Sequence, residues 1–327
     1  MPDDIVNTLP GVSYVMPVLN EVTHVRAAVD SLLAQDYAGP FEVTIALGPS
    51  MDGTTQLVEE LAAVDSRIRV VDNVVGSTPA GLNLAIRESQ YPIVIRVDAH
   101  SVLPPDYARV AVETILETGA DNVGGLMDAQ GTTDFERAVA CAMRSPLGVG
   151  ASRFHTGGEA GEADTVYLGV FRRAALERVG GYDPHFSRAQ DWEMNHRIRE
   201  TGGRVWFTPE LKVTYRPRAS VPALAKQYFH YGRWRRVVAR HHEGTINPRY
   251  LAPPTMVGVT TAATVLGFFW APAWAVPAAY VAGVTAGGLA ISGGESARTR
   301  ATLPVVLATM HWAWGVGFLT SPRRLTR

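Results

Sequence analysis

From Tyr250 to Gly294 the sequence contains no Asp, Glu, Lys or Arg, and from Ala301 to Ser321 its only titratable side chain is His311. No other feature constrains the fold as much. Apolar runs of about 18 residues or more are long enough to cross the hydrocarbon core of a bilayer. A buried helical hairpin is the competing interpretation, but so long an uncharged stretch exceeds what a globular core helix needs. The chain therefore divides into a soluble head and a membrane tail. Segments 255–270, 273–291 and 301–320 have spanning character. Between the first two, Trp270-Ala-Pro-Ala-Trp274 is a tight turn with two interfacial aromatics. Three spans place the C-terminal Arg323, Arg324 and Arg327 outside, against the positive-inside tendency, whereas two spans or a re-entrant first pair place them inside. Length favours three.

The remaining composition excludes some functions. A net charge of −1 over 327 residues does not describe a nucleic-acid binder. A single cysteine, Cys141, excludes an intramolecular disulfide and a cysteine-based zinc site. Residues 1–10 carry acids and no apolar core, so no secretory signal is expected, and the head is expected in the cytosol.

Within the head, apolar runs at 12–18, 41–47, 68–71 and 93–97 read as strands. They alternate with helical periodicity at 22–33, 54–63 and 78–87. Such alternation predicts a mostly parallel, doubly wound α/β sheet. Further on, helices are expected at 107–118, 135–143, 173–179 and 191–200, and strands at 122–127, 166–171, 204–207 and 212–215. The Gly- and Ser-rich stretch 146–163 reads as a mobile loop. From 223 to 240, Leu224, Tyr228, Tyr231, Trp234 and Val238 share one helical face while Lys226, His230, Arg233, Arg236 and Arg240 crowd the others. An Arg-rich amphipathic helix just before apolar spans is expected at the membrane interface; an ordinary surface helix is the plain alternative. The expected organisation is a catalytic domain at 1–222, an interfacial helix and basic segment at 223–250, and a membrane region at 251–327.

The chemistry centres on Arg96-Val-Asp-Ala-His100. If the strand runs to this point, Asp98 and His100 share one face at the C-terminal edge where open α/β sheets bind ligands, and the pair suits a divalent cation. Arg96 lies on the same face, placed to pair with Asp98 or to approach a phosphate. Glu21 is either a ligand contact or a charge at a helix start. Asp52 precedes a helix that it is suited to cap.

These blocks, with Val15-Met-Pro-Val-Leu-Asn-Glu21, Met51-Asp-Gly-Thr54, Ser77-Thr-Pro-Ala-Gly-Leu-Asn83, Tyr167-Leu-Gly-Val-Phe-Arg172, Gln190-Asp-Trp-Glu-Met-Asn-His-Arg197 and Gln227-Tyr-Phe-His-Tyr-Gly-Arg-Trp234, resemble the family-2 inverting glycosyltransferases of GT-A fold. Within that family the chain is most similar to the succinoglycan-type exopolysaccharide transferases, over about residues 11–255. The resemblance implies a Rossmann-like catalytic domain and a nucleotide-sugar donor, UDP-sugar by preference. It implies Mg²⁺ or Mn²⁺ at Asp98 and His100, where the family carries Asp-x-Asp. Donor contacts are implied at Pro17, Val18, Glu21, Asp52, Asn83, Arg96 and Asp98. Leu47 and Gly48 stand where the family carries two aspartates, so the carboxylate that reads the pyrimidine edge is missing.

Inversion needs one group to deprotonate the acceptor hydroxyl. The resemblance places Asp191 there, with helix capping as its alternative role and Glu193 as the second candidate. Gln190, His230, Arg233 and Trp234 are implied at the acceptor or diphosphate. The implied enzyme is a multi-pass inner-membrane protein with a cytoplasmic catalytic domain. Its acceptor is a lipid-linked saccharide, a polysaccharide or, as a polyprenyl-phosphate sugar synthase, the lipid phosphate itself. A catalytically silent nucleotide-sugar-binding scaffold is the non-enzymatic alternative.

Overall fold

The computed structural model describes residues 9–323 and residue 325. The segment 1–8, included in the stretch read as lacking a leader, and Arg324 and Arg327 lie outside the described residues. The chain falls into two compact units, drawn from 1–127 with 158–214 and from 128–157 with 215–327.

The first unit opens with β1 (Val12–Val18), α1 (Val25–Leu33), β2 (Phe41–Leu47), α2 (Thr54–Val64), β3 (Ile68–Asp72), α3 (Thr78–Glu88), β4 (Ile93–Arg96), α4 (Tyr107–Thr118) and β5 (Asn122–Ala129). After β5 the chain forms α5 (Asp134–Met143), α6 (Pro146–Val149) and α7 (Arg153–Thr156), which belong to the second unit. It returns to the first with β6 (Gly161–Glu162), β7 (Tyr167–Arg172), α8 (Arg173–Arg178), α9 (Gln190–Glu200) and β8 (Val205–Tyr215). The stretch expected to be a loop, 146–163, thus holds two short helices and a strand.

The strands form one eight-stranded sheet ordered β3-β2-β1-β4-β7-β5-β8-β6. Pairing is parallel across β3-β2-β1-β4. Beyond β4 it turns antiparallel at β4-β7, β7-β5 and β8-β6, so the sheet is mixed. β1 and β2 are almost wholly buried, as near-continuous apolar strands covered on both faces must be. On α1 the residues Val25, Ala28, Val29 and Leu32 face the core at helical spacing. Tyr14, Leu32, Ile45 and Ile95 are fully enclosed, each aliphatic side chain among them contributing about 1.5–3 kcal/mol of burial.

The second unit continues with α10 (Val221–His241), α11 (Pro248–Gly267), a 3₁₀ turn (Ala271–Trp274), α12 (Ala275–Ile291) and α13 (Ala297–Leu319). Two segments, Ala271–Ile291 and Ala297–Leu319, are long and apolar enough to cross a membrane. The first expected span, 255–270, falls mostly in α11 and is not one of them. α10 buries Leu224, Tyr228, Trp234 and Val238 as expected, but also Gln227 and Arg235, while Tyr231 is exposed. Its buried surface is broader than one interfacial stripe because it packs on α13. A Cβ at Gly232 would stand 2.0 Å from the Trp314 carbonyl oxygen, and one at Gly317 would stand 2.1 Å from that of Phe229. Only glycine permits backbones this close.

Candidate active site

The parallel strands of the first unit point their C-terminal ends at one edge, and the loops there are stitched together. Asn20 N–H donates to Ser50 Oγ at 3.0 Å, and Met51 N–H donates back to Asn20 Oδ1 at 2.9 Å. Glu21 N–H donates to Thr54 Oγ1 at 2.8 Å, and Val22 N–H to Asp52 Oδ2 at 3.3 Å. Asn20 sits at φ 55°, a conformation asparagine tolerates. Asp52 also accepts from the Thr54 hydroxyl and amide, and the hydroxyl contributes most to holding its carboxyl below the usual range. Gly53 in left-handed backbone, rather than Asp52, is the N-cap of α2. Asp52 therefore ties the β1 loop to the start of that helix.

β4 ends at Arg96, earlier than expected. Asp98 and His100 lie in a turn in which Ser101 N–H donates to the Asp98 carbonyl at 2.9 Å. Strand alternation therefore does not pair them. Instead Asp98 takes a bond from Arg96 Nη2 at 3.0 Å, and His100 Nδ1 lies 3.0 Å from Glu21 Oε1. Among the described residues no three His, Cys, Asp or Glu side chains gather as a cation site.

Arg96 organises the edge. Its side chain is 5% exposed, and its Nη1 binds the Asp191 carboxylate while Nη2 holds Asp98. Its Nε has no hydrogen-bond partner among the described residues. Burial pulls the guanidinium pKa down, but the Asp98 charge and nearby Tyr182 and Tyr167 reverse this, and the net direction is upward. The buried Tyr182 phenol, close enough to feel both Arg96 and Asp98, is pushed up to about 12, chiefly by burial. It stays neutral at physiological pH. No sequence motif had marked Tyr182.

Asp191 is not a helix cap. The N-cap of α9 is Ala189, in left-handed backbone at φ 61°, and no side chain caps this end. Glu193, the second candidate base, is buried and spends both oxygens on Arg197 at 2.7 Å each. Asn195 is a pin, accepting from Asn122 Nδ2 and donating to Thr165 Oγ1. Asn83 was expected to face a donor. Its amide instead clamps Tyr182, donating to its carbonyl at 2.6 Å and accepting from its N–H at 2.8 Å. A Cβ at Gly181 would meet Asn83 Oδ1 at 2.6 Å, so that clamp needs the glycine. Pro17 and Val18 end β1, where the Val18 carbonyl accepts from Gly48 N–H at 2.7 Å. Gln190 shares the first turn of α9 with Asp191.

The Glycosyl transferase family 2 domain matches residues 13–180. The chain is also 34% identical to the succinoglycan biosynthesis protein ExoA of Rhizobium meliloti, over 93% of this chain and 92% of that protein. The chain belongs to glycosyl transferase family 2. As a member of that family it is a glycosyltransferase. A Methanococcus voltae dolichyl N-acetyl-alpha-D-glucosaminyl phosphate 3-beta-D-2,3-diacetamido-2,3-dideoxy-beta-D-glucuronosyltransferase is 24% identical over 74% of this chain and 77% of its own length. In structure, this family 2 chain is similar to the mannosyltransferase PcManGT from Pyrobaculum calidifontis, solved with GDP-Man and Mn²⁺. The TM-score is 0.59 at 20% identity, covering 93% of this chain and 86% of that one. S. aureus TarS 1-349 in complex with UDP gives a TM-score of 0.52 at 16% identity, covering 95% and 90%. The family 2 fold is thus GT-A, with the mixed sheet described above.

In the second unit, His230 stacks edge-on to Phe229, and the Arg233 guanidinium lies 5.2 Å from the Phe229 ring centre. Trp234 is buried. The three lie along α10.

Proposed function

We propose that this glycosyltransferase moves a sugar with inversion from a nucleoside diphosphate donor, a UDP-sugar by preference, to a lipid-linked saccharide or polysaccharide. Asp191 is the general base. One observation carries this reading: a single buried guanidinium joins Asp191, at the start of α9, to Asp98, just beyond β4, an arrangement that suits a proton acceptor working beside a diphosphate. Asp191 accepts the proton of the acceptor hydroxyl. The oxygen bonds the anomeric carbon as the carbon–oxygen bond to the diphosphate breaks, and the diphosphate leaves with the electron pair. Arg96, with its charge fixed in a nearly dry site, stabilises the departing anion. A lipid phosphate is already ionised and needs no base, so a dedicated carboxylate favours a hydroxyl acceptor over the polyprenyl-phosphate synthase alternative.

The donor set fits a cation that arrives with the diphosphate rather than a resident one. Mg²⁺ in particular is commonly held by one or two carboxylates together with substrate phosphates. Asp98, one-fifth exposed at the strand end, would hold Mg²⁺ or Mn²⁺ with His100, and the ion would offset diphosphate charge. Glu21, the β1 end at Pro17 and Val18, and Asp52 frame the nucleoside side. Gln190, beside Asp191 in the first turn of α9, serves the acceptor or diphosphate. The catalytic part is 1–222, the basic helix 223–250 meets the headgroups, and 251–327 attaches the enzyme to the inner membrane with its active site cytoplasmic.

The test is transfer by reconstituted protein across a panel of nucleotide sugars with Mn²⁺ or Mg²⁺. Asp191→Asn should bind donor but transfer at least about 100-fold more slowly, and Asp98→Ala should lose donor binding. Full transfer by Asp191→Asn overturns the base assignment.

A further inference from the structure

We infer that α13, although long and apolar enough to cross a bilayer, does not do so. The lipid-embedded element is the hairpin of α11 and α12, and the chain after α13 stays on the side from which that hairpin enters. The inference rests on membrane attachment but on no part of the transfer chemistry.

The two apolar segments differ in what surrounds them. In its most apolar stretch α12 is 6% buried, against 39% for α13. Large apolar side chains lie exposed along the hairpin, including Val259, Val265, Phe269, Val281 and Leu289, whereas on α13 only Val305 and Leu319 do so. Polar partners accompany α13 along its length. Near its start, Ser296 and Thr299 donate to the Asp134 carboxylate of α5. At mid-helix, His311 Nε2 lies 2.7 Å from the Leu147 carbonyl in α6. Toward its end the Arg236 guanidinium sits 5.0 Å from the Phe318 ring centre, and Arg240 donates to the Ser321 and Pro322 carbonyls. A lipid-crossing α13 would carry these charges and short irregular turns to membrane depth, where such backbone is tolerated only if protein or water covers it.

The helices at the two ends of α13 also branch from one point. Gln130 N–H donates to the Tyr215 carbonyl at 3.0 Å, and α5 begins just beyond the first residue, α10 just beyond the second. α5 covers the start of α13 and α10 its end, so both ends are held from the same origin.

The hairpin supplies the complement. Its legs run about 30 Å and 25 Å at 1.5 Å per residue, the dimension of a hydrocarbon core. They meet at a neutral aromatic tip, where Phe268 and Trp274 pack with ring centres 5.5 Å apart beside Phe269 and Trp270. α13 packs against both legs: a Cβ at Gly315 would meet the Pro253 carbonyl of α11, one at Gly288 of α12 would meet Leu303, and the Tyr280 hydroxyl of α12 lies 3.3 Å from His311 Nδ1. Arg249 stands at the start of α11 and Arg298 and Arg300 at the start of α13, with Glu295 in the connection before them, and the legs from Tyr250 to Ile291 carry no charge. A cationic collar beneath a neutral, aromatic-tipped wedge matches anionic headgroups over hydrocarbon.

The experiment is sidedness labelling in a Cys141→Ser background, with single cysteines at the exposed positions Glu243→Cys, Gly293→Cys and Arg323→Cys. An impermeant maleimide is applied to sealed right-side-out and inside-out vesicles. All three should label from the same face, and a nitroxide at Phe269→Cys should report bilayer depth. Labelling of Arg323→Cys from the opposite face means three crossings, and labelling of Gly293→Cys from the opposite face means that α12 and α13 cross; either overturns the inference. Release of the protein by carbonate overturns the membrane attachment itself, whatever the sugar-transfer assay gives.

Discussion

Arg96→Met is the most informative single change, because it removes the charge that joins Asp98 to Asp191 while keeping a long side chain in the cavity. At 3.0 Å and an effective dielectric of about 20, one such contact is worth about 5 kcal/mol before desolvation. Burial of Arg96 to 5% exposure consumes much of that, and breaking a buried pair typically costs about 3–5 kcal/mol. Asp98 and Asp191 retain 21% and 33% exposure, so water screens the carboxylates left behind, and the expected loss is about 2–3 kcal/mol. The effect on rate should be at least as large, about 100-fold or more in kcat for about 3 kcal/mol, since Asp191 loses its fixed position. Arg96→Lys keeps the charge but not the fork, and should recover stability better than rate. Denaturant unfolding and single-turnover transfer at saturating donor measure the two quantities. If Arg96→Met unfolds within about 0.5 kcal/mol of the parent and transfers at the parental rate, the bridge organises nothing and the argument fails.

Other consequences are simpler to check. Ala189→Gly relieves a left-handed alanine at φ 61° and should stabilise the first unit by about 1 kcal/mol in calorimetry, yet lower kcat because the first turn of α9 loosens around Asp191. Gly232→Ala drives a Cβ to 2.0 Å from a backbone oxygen of α13. It should cost about 3 kcal/mol in denaturant unfolding, whereas Gly258→Ala, with open space around it, should cost nothing. The Glu136 carboxyl is held down at about 2, first by the Thr132 hydroxyl and then by backbone N–H groups. A depressed folded pKa gives stability that is complete above the ordinary value of 4.5 and is lost as pH falls toward 2. Thr132→Val should therefore weaken the second unit at neutral pH and flatten its acid transition, as followed by circular dichroism.

The parallel half of the sheet was legible because four apolar runs alternate with helical periods, and the same blocks carried the family. The antiparallel half was not, since periodicity says nothing of strand direction. Two short strands expected at 204–207 and 212–215 are one strand, β8, that continues through Pro209. The pairing of Asp98 with His100 by strand alternation assumed a strand that stops at Arg96, and in the turn beyond it the two side chains take different partners, Arg96 and Glu21. Asp191 and Glu193 looked interchangeable in the string, yet two positions along a helix lie on opposite faces; one meets Arg96 and the other is sealed against Arg197. Nothing in sequence order signals that 128–157 packs with the C-terminal unit, because that partnership joins α5 to α13 across more than half the chain.

Three places where local rules are broken belong to the first unit. Ala189 adopts a left-handed backbone where Gly or Asn is at home, just before Asp191. Leu168, fully buried in β7, sits at φ 42°, and its carbonyl accepts from the Tyr107 hydroxyl at 3.1 Å. Arg96 is a cation in a nearly dry strand. Each costs of order 1–3 kcal/mol, and a chain selected for stability alone would have removed them. Asn20, Asn83 and Gly53, by contrast, satisfy their local rules while holding the loops and Tyr182 around the candidate active site. Two of the three strained features adjoin Asp191, Ala189 at the N-cap just before it in α9 and the buried Arg96 on its carboxylate, and departures from local propensity are expected where positions must be exact. That is the physical reason to look to Arg96, before any metal ligand, for what sets the geometry of Asp191.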